Sequence, residues 1–308
     1  MTIIDARSQL AAKAEGTEGT AESLAAANAI LARNIKFDPD INVEELDLQS
    51  SSLSPFAGVP GGRQARMTFE CELKGSGTAG TAPQIGVLIK ACGYAETIVG
   101  GTSVTYAPAS SAIDSLTIAK YADGKRYLMA GARGNFEIKL PAGKPGIIAF
   151  DFLGTAIADS DATLLSGITY DATRAQAFQN ASFTIDSYAA IVEAIAIKSG
   201  NTLKLRESVN SAQGFLSAVI TKRLAEMSLN PEDVLIATQD FWDTWENGTL
   251  VAFTAQLGAT AGNILTITAP KVQYGKVGQA DREGVGNYDI DAKLRRNSGD
   301  DELSLAFT

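Results

Sequence analysis

The chain of 308 residues is long enough for two domains, and its content of 45% apolar and 20% charged residues is typical of a globular protein. It contains no histidine, so the commonest general base and metal ligand is missing and catalysis is disfavoured. The net charge of −9 argues against tight binding to nucleic-acid phosphates.

The composition also bears on the compartment. No segment has the apolar length that crosses a bilayer, and Met1–Leu10 lacks the pattern of a secretory signal, so we expect a cytosolic origin. The only cysteines, Cys71 and Cys92, fall at apolar positions. This favours two buried thiols over a disulfide or redox pair, and no spacing of metal ligands is present.

The chain begins with a polar, alanine-rich segment, residues 1–34. Gly16 and Gly19 interrupt its helical propensity. We interpret it as an extended N-terminal arm with a short helical piece near residues 23–31. A loosely packed terminus is the alternative.

A predicted strand at residues 43–48 precedes a long loop rich in serine, glycine and proline, residues 49–64. Loops of this length without regular structure are usually functional or disordered. Its exposed-looking apolar residues either contact another molecule or pack on their own domain. The candidate contact residues are Leu53, Pro55, Phe56 and Val59.

Residues 65–73 alternate apolar and polar side chains, which predicts a half-buried antiparallel strand with Glu70 and Glu72 on its wet face. A short helix is predicted at 81–94, with Thr81 as N-cap and Gly93 at its C-terminus. Its apolar stripe is Ile85, Leu88, Ile89 and Cys92. Hairpin signals follow at residues 103–106, 115–121, 126–132, 135–140 and 147–152.

An ordered set of motifs in residues 13–155 resembles the tail tube (major tail) proteins of siphophages, the long-tailed phages with non-contractile tails. The N-terminal run Glu15-Gly16-Thr17-Glu18-Gly19-Thr20 also looks like the start of that family. The motifs are Ala82-Pro83-Gln84, Leu88-Ile89-Lys90-Ala91-Cys92-Gly93-Tyr94, Tyr106-Ala107-Pro108, Tyr121-Ala122-Asp123-Gly124-Lys125-Arg126, Gly131-Ala132-Arg133-Gly134-Asn135-Phe136, Ala142-Gly143-Lys144-Pro145 and Phe150-Asp151-Phe152-Leu153-Gly154.

The resemblance implies a structural virion protein that is assembled in the host cytoplasm and forms stacked rings around a hollow conduit for DNA ejection. The implied partners are other copies of the chain, the tape measure protein and the tail-terminator and tip proteins. In the family the long loop contacts the next ring, which would place residues 49–64 there. Because a conduit should not grip DNA, Glu70 and Glu72 are candidates for the lumen face.

The second half resembles the first in the order of its predicted elements. After a linker at 158–181 come strands at 192–197, 215–224 and 249–257 and a helical segment at 231–247. Gly134-Asn135-Phe136 has a counterpart in Gly286-Asn287-Tyr288, an offset of 286 − 134 = 152. This indicates a duplication of the domain at 35–157 in the domain at 182–308. Since family rings with one domain per chain are hexameric, a trimer is favoured over a hexamer of whole chains.

The sequence therefore predicts a mostly β protein, with two tandem tail-tube-like sandwiches or barrels, each flanked by a helix. No catalytic, cofactor-binding or metal-binding residues are predicted. Residues 57–63 lack the Lys-Ser/Thr of a phosphate-binding loop, and Glu70 with Glu72 is more typical of a solvated strand face than of a glycosidase pair. The main alternative is a carbohydrate-binding or adhesive β-sandwich module, and an enzyme ranks third.

Overall fold

The computed structural model describes residues 3–308, so the first two residues of the predicted N-terminal arm, and of the segment examined for a secretory signal, lie outside it. The fold is mostly β, as predicted, with large antiparallel sheets and few helices. The strands of the first half are β1 (Ser8–Ala14), β2 (Ala29–Ile30), β3 (Arg33–Glu44), β4 (Val59–Glu72), β5 (Tyr94–Val99), β6 (Ser103–Pro108), β7 (Leu116–Ala122), β8 (Gly124–Pro141) and β9 (Ile147–Ala162).

The second half has shorter strands and a different set of connections. Its strands are β10 (Thr184–Ile185), β11 (Val192–Lys198), β12 (Asn201–Glu207), β13 (Phe215–Arg223), β14 (Glu226–Pro231), β15 (Val251–Leu257), β16 (Leu265–Arg282), β17 (Val285–Leu294) and β18 (Ser304–Phe307). The helices are α1 (Gly86–Ala91), α2 (Phe241–Glu246) and a single 3-10 turn (Ala26–Asn28).

The two halves order their paired strands in the same way. In the first half, neighbours follow the order β3-β4-β9-β8-β7-β1. In the second half the order is β11-β14-β17-β16-β15-β10, and β18 continues the line of β17 along the same edge of β16. Each half adds one hairpin of its own, β5–β6 in the first and β12–β13 in the second.

The strand pairings match the first half to the second differently from the way the sequence motifs match them. Gly134-Asn135-Phe136 lies in β8, whereas Gly286-Asn287-Tyr288 lies in β17, which takes the place of β9. The motifs therefore do not occupy corresponding positions. A constant offset cannot describe the matching strands, because each half carries an insertion that the other lacks.

The halves are joined by backbone hydrogen bonds as well as by a shared core. β8 pairs with β11, from Glu137 opposite Lys198 to Pro141 opposite Ala194. β6 pairs with the last strand, β18. One hydrophobic cluster contains buried side chains from both halves, so the apolar sides of their strands are covered together. The predicted linker region is partly regular, since β9 extends to Ala162.

The N-terminal segment differs from the extended arm that the sequence suggests. Residues 8–14 form β1, which pairs along its length with β7 and buries Leu10 and Ala11 completely. The helical piece is a single 3-10 turn at Ala26–Asn28. The sequence does not reveal this strand, because three of its seven residues are alanines, which have a weak β preference.

Both helices are shorter than predicted. α1 begins at Gly86 after a turn in which Gly86 N–H donates to Pro83, so neither Thr81 nor any other side chain caps it. The predicted stripe of Ile85, Leu88, Ile89 and Cys92 is buried as expected. Pro231 ends strand β14 instead of starting a helix, and α2 begins after Asp240, whose carboxylate accepts from the Asp243 N–H.

Several strand boundaries also change. The strand predicted at 43–48 is wrong, because β3 runs from Arg33 to Glu44 and residues 45–58 are the loop. Residues 126–132 and 135–140 belong to one strand, β8, with a register shift between Ala130 and Arg133. Gly131 lies in this irregular stretch at φ 61, where its lack of a side chain lets the backbone of Ser217 approach.

Candidate assembly surfaces

The first candidate surface is at the end of the hairpin of β3 and β4, which pair from Arg33 opposite Glu70 to Glu44 opposite Val59. Beyond Ile41 it has no neighbouring strand other than its own partner. We call residues 41–59 the arm tip. Its exposed large apolar side chains are Ile41, Val43, Leu46, Leu48, Leu53, Phe56 and Val59.

The structure places all the sequence-predicted loop residues at this tip. Leu53, Pro55 and Phe56 lie in the loop and are exposed, and Val59 is the first residue of β4. Soluble monomers rarely expose large contiguous apolar patches, so a cluster of seven such side chains in one segment is typical of a contact surface. Sequence reasoning did not find Ile41 and Val43 as contact candidates, because Val43 was assigned to a strand at 43–48 and Ile41 to no element.

The base of the arm is fixed by the second half of the chain. The ring of Phe215 packs against Gly62, where an added side-chain carbon would lie 2.6 Å from it. The Arg63 N–H also donates to the Gln213 carbonyl over 2.9 Å. The arm therefore leaves the body at a fixed point, while its tip remains uncovered within the chain.

A second surface is formed by the polar sides of eight strands in a row, β3, β4, β9, β8, β11, β14, β17 and β16. Directly opposed residues give one row that crosses all of them. It reads Arg33, Glu70, Ala149, Glu137, Lys198, Glu226, Lys293 and Gln273.

A neighbouring row crosses seven of these strands. It reads Glu72, Ile147, Lys139, Ala196, Ser228, Asp291 and Lys276. We call the two rows together the polar face. Glu70 and Glu72, which the sequence analysis singled out, are thus the β4 members of two aligned rows.

Period-two alternation produces the polar face and the core from the same strands. Between the two polar rows lies a row that is buried throughout. It reads Cys71, Ile148, Ile138, Ile197, Met227, Ala292 and Tyr274. None of the polar-face residues is buried, so one side of the strands is wet across both halves.

The polar face carries no net charge. Its two rows hold five carboxylates (Glu70, Glu72, Glu137, Glu226 and Asp291) and five cations (Arg33, Lys139, Lys198, Lys276 and Lys293). Arg33 lies 2.9 Å from Glu70, and Lys139 and Lys198 lie 3.2 and 3.6 Å from Glu137. Because cations from neighbouring strands offset Glu70 and Glu72, the two rows together are neutral.

Shallow depressions follow this face. Three of them, with volumes of about 440, 670 and 450 Å³, are lined by polar-face residues such as Glu137, Lys198 and Asp291. They are open to solvent and lined by side chains of both charge signs. Such shallow, mixed depressions differ from the enclosed apolar pockets that hold small ligands.

The β12–β13 hairpin forms a third feature, which is an internal contact. Its strand β13 lies against β8 and β9 of the first half, with Ser217 and Ala218 fully buried. The Arg133 guanidinium donates to Glu18 over 2.6 Å and to the Ala218 carbonyl, and the Ser217 hydroxyl donates to Glu18 over 2.7 Å. One buried cation thus ties together the N-terminal segment, β8 and the hairpin.

The environment of Glu18 keeps it ionised. Partial burial tends to raise its pKa, but hydrogen bonds from Arg133 and Ser217, with the positive charges of Arg133 and Arg206, outweigh this effect and lower the pKa below its usual value. Glu15 next to it accepts from the Gly131 N–H at 2.7 Å and from the Ser115 hydroxyl at 2.6 Å. These carboxylates are occupied by structural contacts.

The remaining chemistry-bearing groups have structural surroundings as well. Burial raises the pKa of Cys71 to about 12 and that of Cys92 well above its usual value. Trp242 donates to the Tyr288 hydroxyl over 3.2 Å and packs against Trp245. Within residues 3–308, no group of three or more His, Cys, Asp or Glu side chains could hold a metal ion. None of the helices in that range is long and apolar enough to cross a membrane.

Comparison with known proteins assigns this architecture to a class. The family model described as "Phage tail tube protein" matches residues 5–307, nearly the whole chain. The chain therefore belongs to the phage tail tube protein family, a family of structural virion proteins that assemble into a tube. No curated protein sequence matches it.

Proposed function

We propose that this protein is the tube subunit of a siphophage tail and that its rings stack into the hollow conduit through which DNA is ejected. The observation that carries the proposal is the polar face, which continues across both halves of the chain while the opposite side of the same strands is core. A sheet with one polar side can line an aqueous channel once it closes on itself, because that side needs no cover.

The charge pattern supports a role as a wall that DNA slides along. Phosphates bind where several cations act together, and each neutralised phosphate adds to affinity. On the polar face each cation has a carboxylate nearby, so the field that a passing phosphate meets is small. Glu70 and Glu72 contribute to this neutral lumen lining.

We further propose that the chain is a duplication and that three copies close one ring. The shared order of strand pairing supports two tail-tube-like units, residues 35–157 and 182–308, linked by residues 158–181. Residues 1–34 contribute β1 to the first unit, as β10 contributes to the second. Three chains with two units each would give six similar positions around a closed ring.

Stacking of rings is assigned to the arm tip. Its exposed apolar side chains, Leu53, Phe56 and Val59 among them, would be covered by the next ring. A tube also needs partners inside it and at its ends, which we take to be the tape measure protein and the tail-terminator and tip proteins. Assembly would occur in the host cytoplasm, and no enzymatic step is required.

Electron microscopy of the purified protein over a range of concentrations tests the proposal. Hollow rings or tubes are the expected result, with sedimentation showing that they grow with concentration. A chain that stays monomeric at every concentration, with a cooperative thermal transition showing that it is folded, would contradict the tube function.

A further inference from the structure

A second group of exposed apolar side chains surrounds α2 in the other half of the chain. Backbone contacts bring its segments together, since the Glu232 N–H donates to the Ile191 carbonyl and the Asp233 N–H to the Gly286 carbonyl, each over 2.9 Å. We call this region the α2 surface. Its exposed large apolar side chains are Ile191, Leu235, Ile236, Trp242 and Val285.

The charge around these side chains is all of one sign. Residues 230–250 contain no lysine or arginine and five carboxylates, which are Glu232, Asp233, Asp240, Asp243 and Glu246. Within residues 3–308 none of the five forms an ion pair. Arg282 of the adjoining turn is held by Glu193 over 3.2 Å and by the Asn230 carbonyl over 2.8 Å. The apolar patch therefore has an acidic rim that nothing in the chain neutralises.

The α2 surface lies on the opposite side of the strands from the polar face. Phe241 of α2 packs against Tyr274 and Tyr288, with ring centroids 6.4 and 5.7 Å apart. Tyr274 belongs to the buried row that separates the two polar rows, so α2 covers the core side of these strands. In a tube lined by the polar face the α2 surface would look outward, and this orientation alone rests on the proposed function.

The arm tip of a second copy does not suit this surface, although it is also apolar. Residues 41–59 contain Glu44, Glu45 and Asp47 and no lysine or arginine. The two surfaces therefore carry charge of the same sign, and like charges that face each other across an interface cost free energy. Nucleic acids and anionic lipid surfaces are repelled for the same reason. A partner has to bring cations that lie next to apolar side chains.

We propose that the α2 surface docks a basic, amphipathic segment of another protein. Lysine or arginine side chains of that segment lie against the acidic rim, and its apolar side chains cover Leu235, Ile236 and Trp242. Leu235 and Ile236 are 79% and 75% exposed, so they have much apolar area to lose to a partner. A basic amphipathic helix presents both kinds of side chain in one short segment.

Tryptophan fluorescence tests the docking directly, because the chain has two tryptophans and both lie in α2. The probe is a peptide of about 14 residues made of lysine and leucine, spaced so that one helix face is apolar. One control peptide has glutamate in place of lysine, and a second has serine in place of leucine. We expect a saturable change in emission with the first peptide only, and an apparent Kd that rises with salt.

Variants assign the binding to the α2 surface. The double variant Leu235→Ser, Ile236→Ser should raise the Kd roughly 10- to 100-fold, because two exposed apolar contacts are lost. Glu246→Lys places a cation at the C-terminal end of α2, which a helix tolerates, and should raise the Kd roughly three- to tenfold. Glu45→Lys and Leu53→Ser make matched changes at the arm tip and should leave the Kd unchanged.

Three outcomes would overturn the docking proposal. The first is no change in emission with the lysine–leucine peptide, or an equal change with the glutamate peptide. The second is an equal loss of affinity in Glu45→Lys and Glu246→Lys, since binding would then follow net charge alone. The third is a saturable response to neutral oligosaccharides in place of the basic peptide, which would make the surface a glycan site.

The same titration on assembled tubes separates this proposal from the tube function. Tubes should bind the peptide as the free chain does, and tubes that exclude it would show that another copy covers the α2 surface, which would overturn the proposal. Normal tubes without peptide binding would leave the tube function intact. Peptide binding by a chain that never assembles would support the docking surface and contradict the tube function.

Discussion

The β3–β4 arm and the β12–β13 hairpin stand at corresponding points of the two halves but have opposite surroundings. The arm tip connects β3 to β4, and the hairpin connects their counterparts β11 and β14. Leu53 at the arm tip and Val209 at the hairpin tip are both fully exposed, at 106% and 101%. Below the tips, however, the hairpin lies on the first half, whereas the outer part of the arm has no strand partner other than its own.

The difference shows how one connection can acquire two uses. The hairpin is held by Arg133 and Glu18 and covers the C-terminal end of α1, where Asn201 donates to the Cys92 carbonyl over 2.7 Å. It is thus part of the folding core. The arm has apolar side chains along its tip and nothing to cover them inside the chain, which suits a contact with another copy. Each of the following changes separates these two uses.

The largest effect is expected from Phe56→Asp in the arm tip. A buried aromatic anchor of an interface commonly contributes about 2–4 kcal/mol, so a carboxylate there should raise the concentration needed for tube formation by roughly 30- to 1000-fold. Turbidity and electron microscopy measure this, with unchanged thermal unfolding as evidence that the chain folds. Val209→Asp is the matched control and should assemble normally. Equal loss of assembly in both variants would remove the distinction between the two tips.

Arg133→Ala should affect folding instead of assembly. Its side chain is 10% exposed, and its loss removes one of the donors to Glu18 and the guanidinium donors to the Ala218 and Ile113 carbonyls. Breaking such a contact should lower the free energy of unfolding by about 2–4 kcal/mol. Arg66→Ala, which removes an exposed ion pair with Asp151, should cost less than about 1 kcal/mol. Denaturant titration measures both, and similar losses would contradict a central role for Arg133.

The Glu18 contact should also make stability depend on pH. Because its pKa is lower in the folded state than in the unfolded chain, the stability that it adds is present above the unfolded value of about 4.5 and is lost as the pH falls through the folded value. Between pH 6 and pH 3 the melting temperature should therefore fall more steeply for the unmodified protein than for Glu18→Gln. If the melting temperatures of the two proteins fall in parallel with pH, the ionisation of Glu18 does not contribute to stability.

The smallest expected effect is on thiol reactivity. Both cysteines are buried, so a thiol reagent at pH 8 should label the folded chain slowly and the unfolded chain at two sites. Arg133→Ala should speed the labelling of Cys92, because it loosens the hairpin that covers the end of α1. Phe56→Asp should leave the rate unchanged. Mass mapping of the labelled peptide assigns the site, and an equal acceleration in both variants would contradict the assigned contacts.

The sequence predicted those parts of the fold that depend on local pattern. The alternation of apolar and polar residues predicted the strand at 65–73 and its exposed side. The apolar stripe predicted the buried face of α1. The exposed loop was found because serine, glycine and proline interrupt all periodicity there. The resemblance to phage tail tube proteins, based on motifs within residues 13–155, is confirmed by a family match that spans residues 5–307.

Other features depend on pairing between distant strands, which local pattern does not encode. β1 was missed because alanine is its commonest residue, and because its burial depends on pairing with β7 more than a hundred residues away. The charge balance of the polar face was missed for the same reason. Glu70 and Glu137 meet Arg33 and Lys198 only through the register of four strands. The motif Gly-Asn-Phe/Tyr misled the alignment of the halves, since three residues recur by chance more easily than a pairing order.

The measurement that tests the central claim most directly is electron microscopy of assembled tubes with averaging of end-on views. The account predicts a hollow ring with six similar lobes and three-fold symmetry, because each of three chains contributes two units of similar strand order. A ring of six whole chains, or an assembly without a channel, would contradict it.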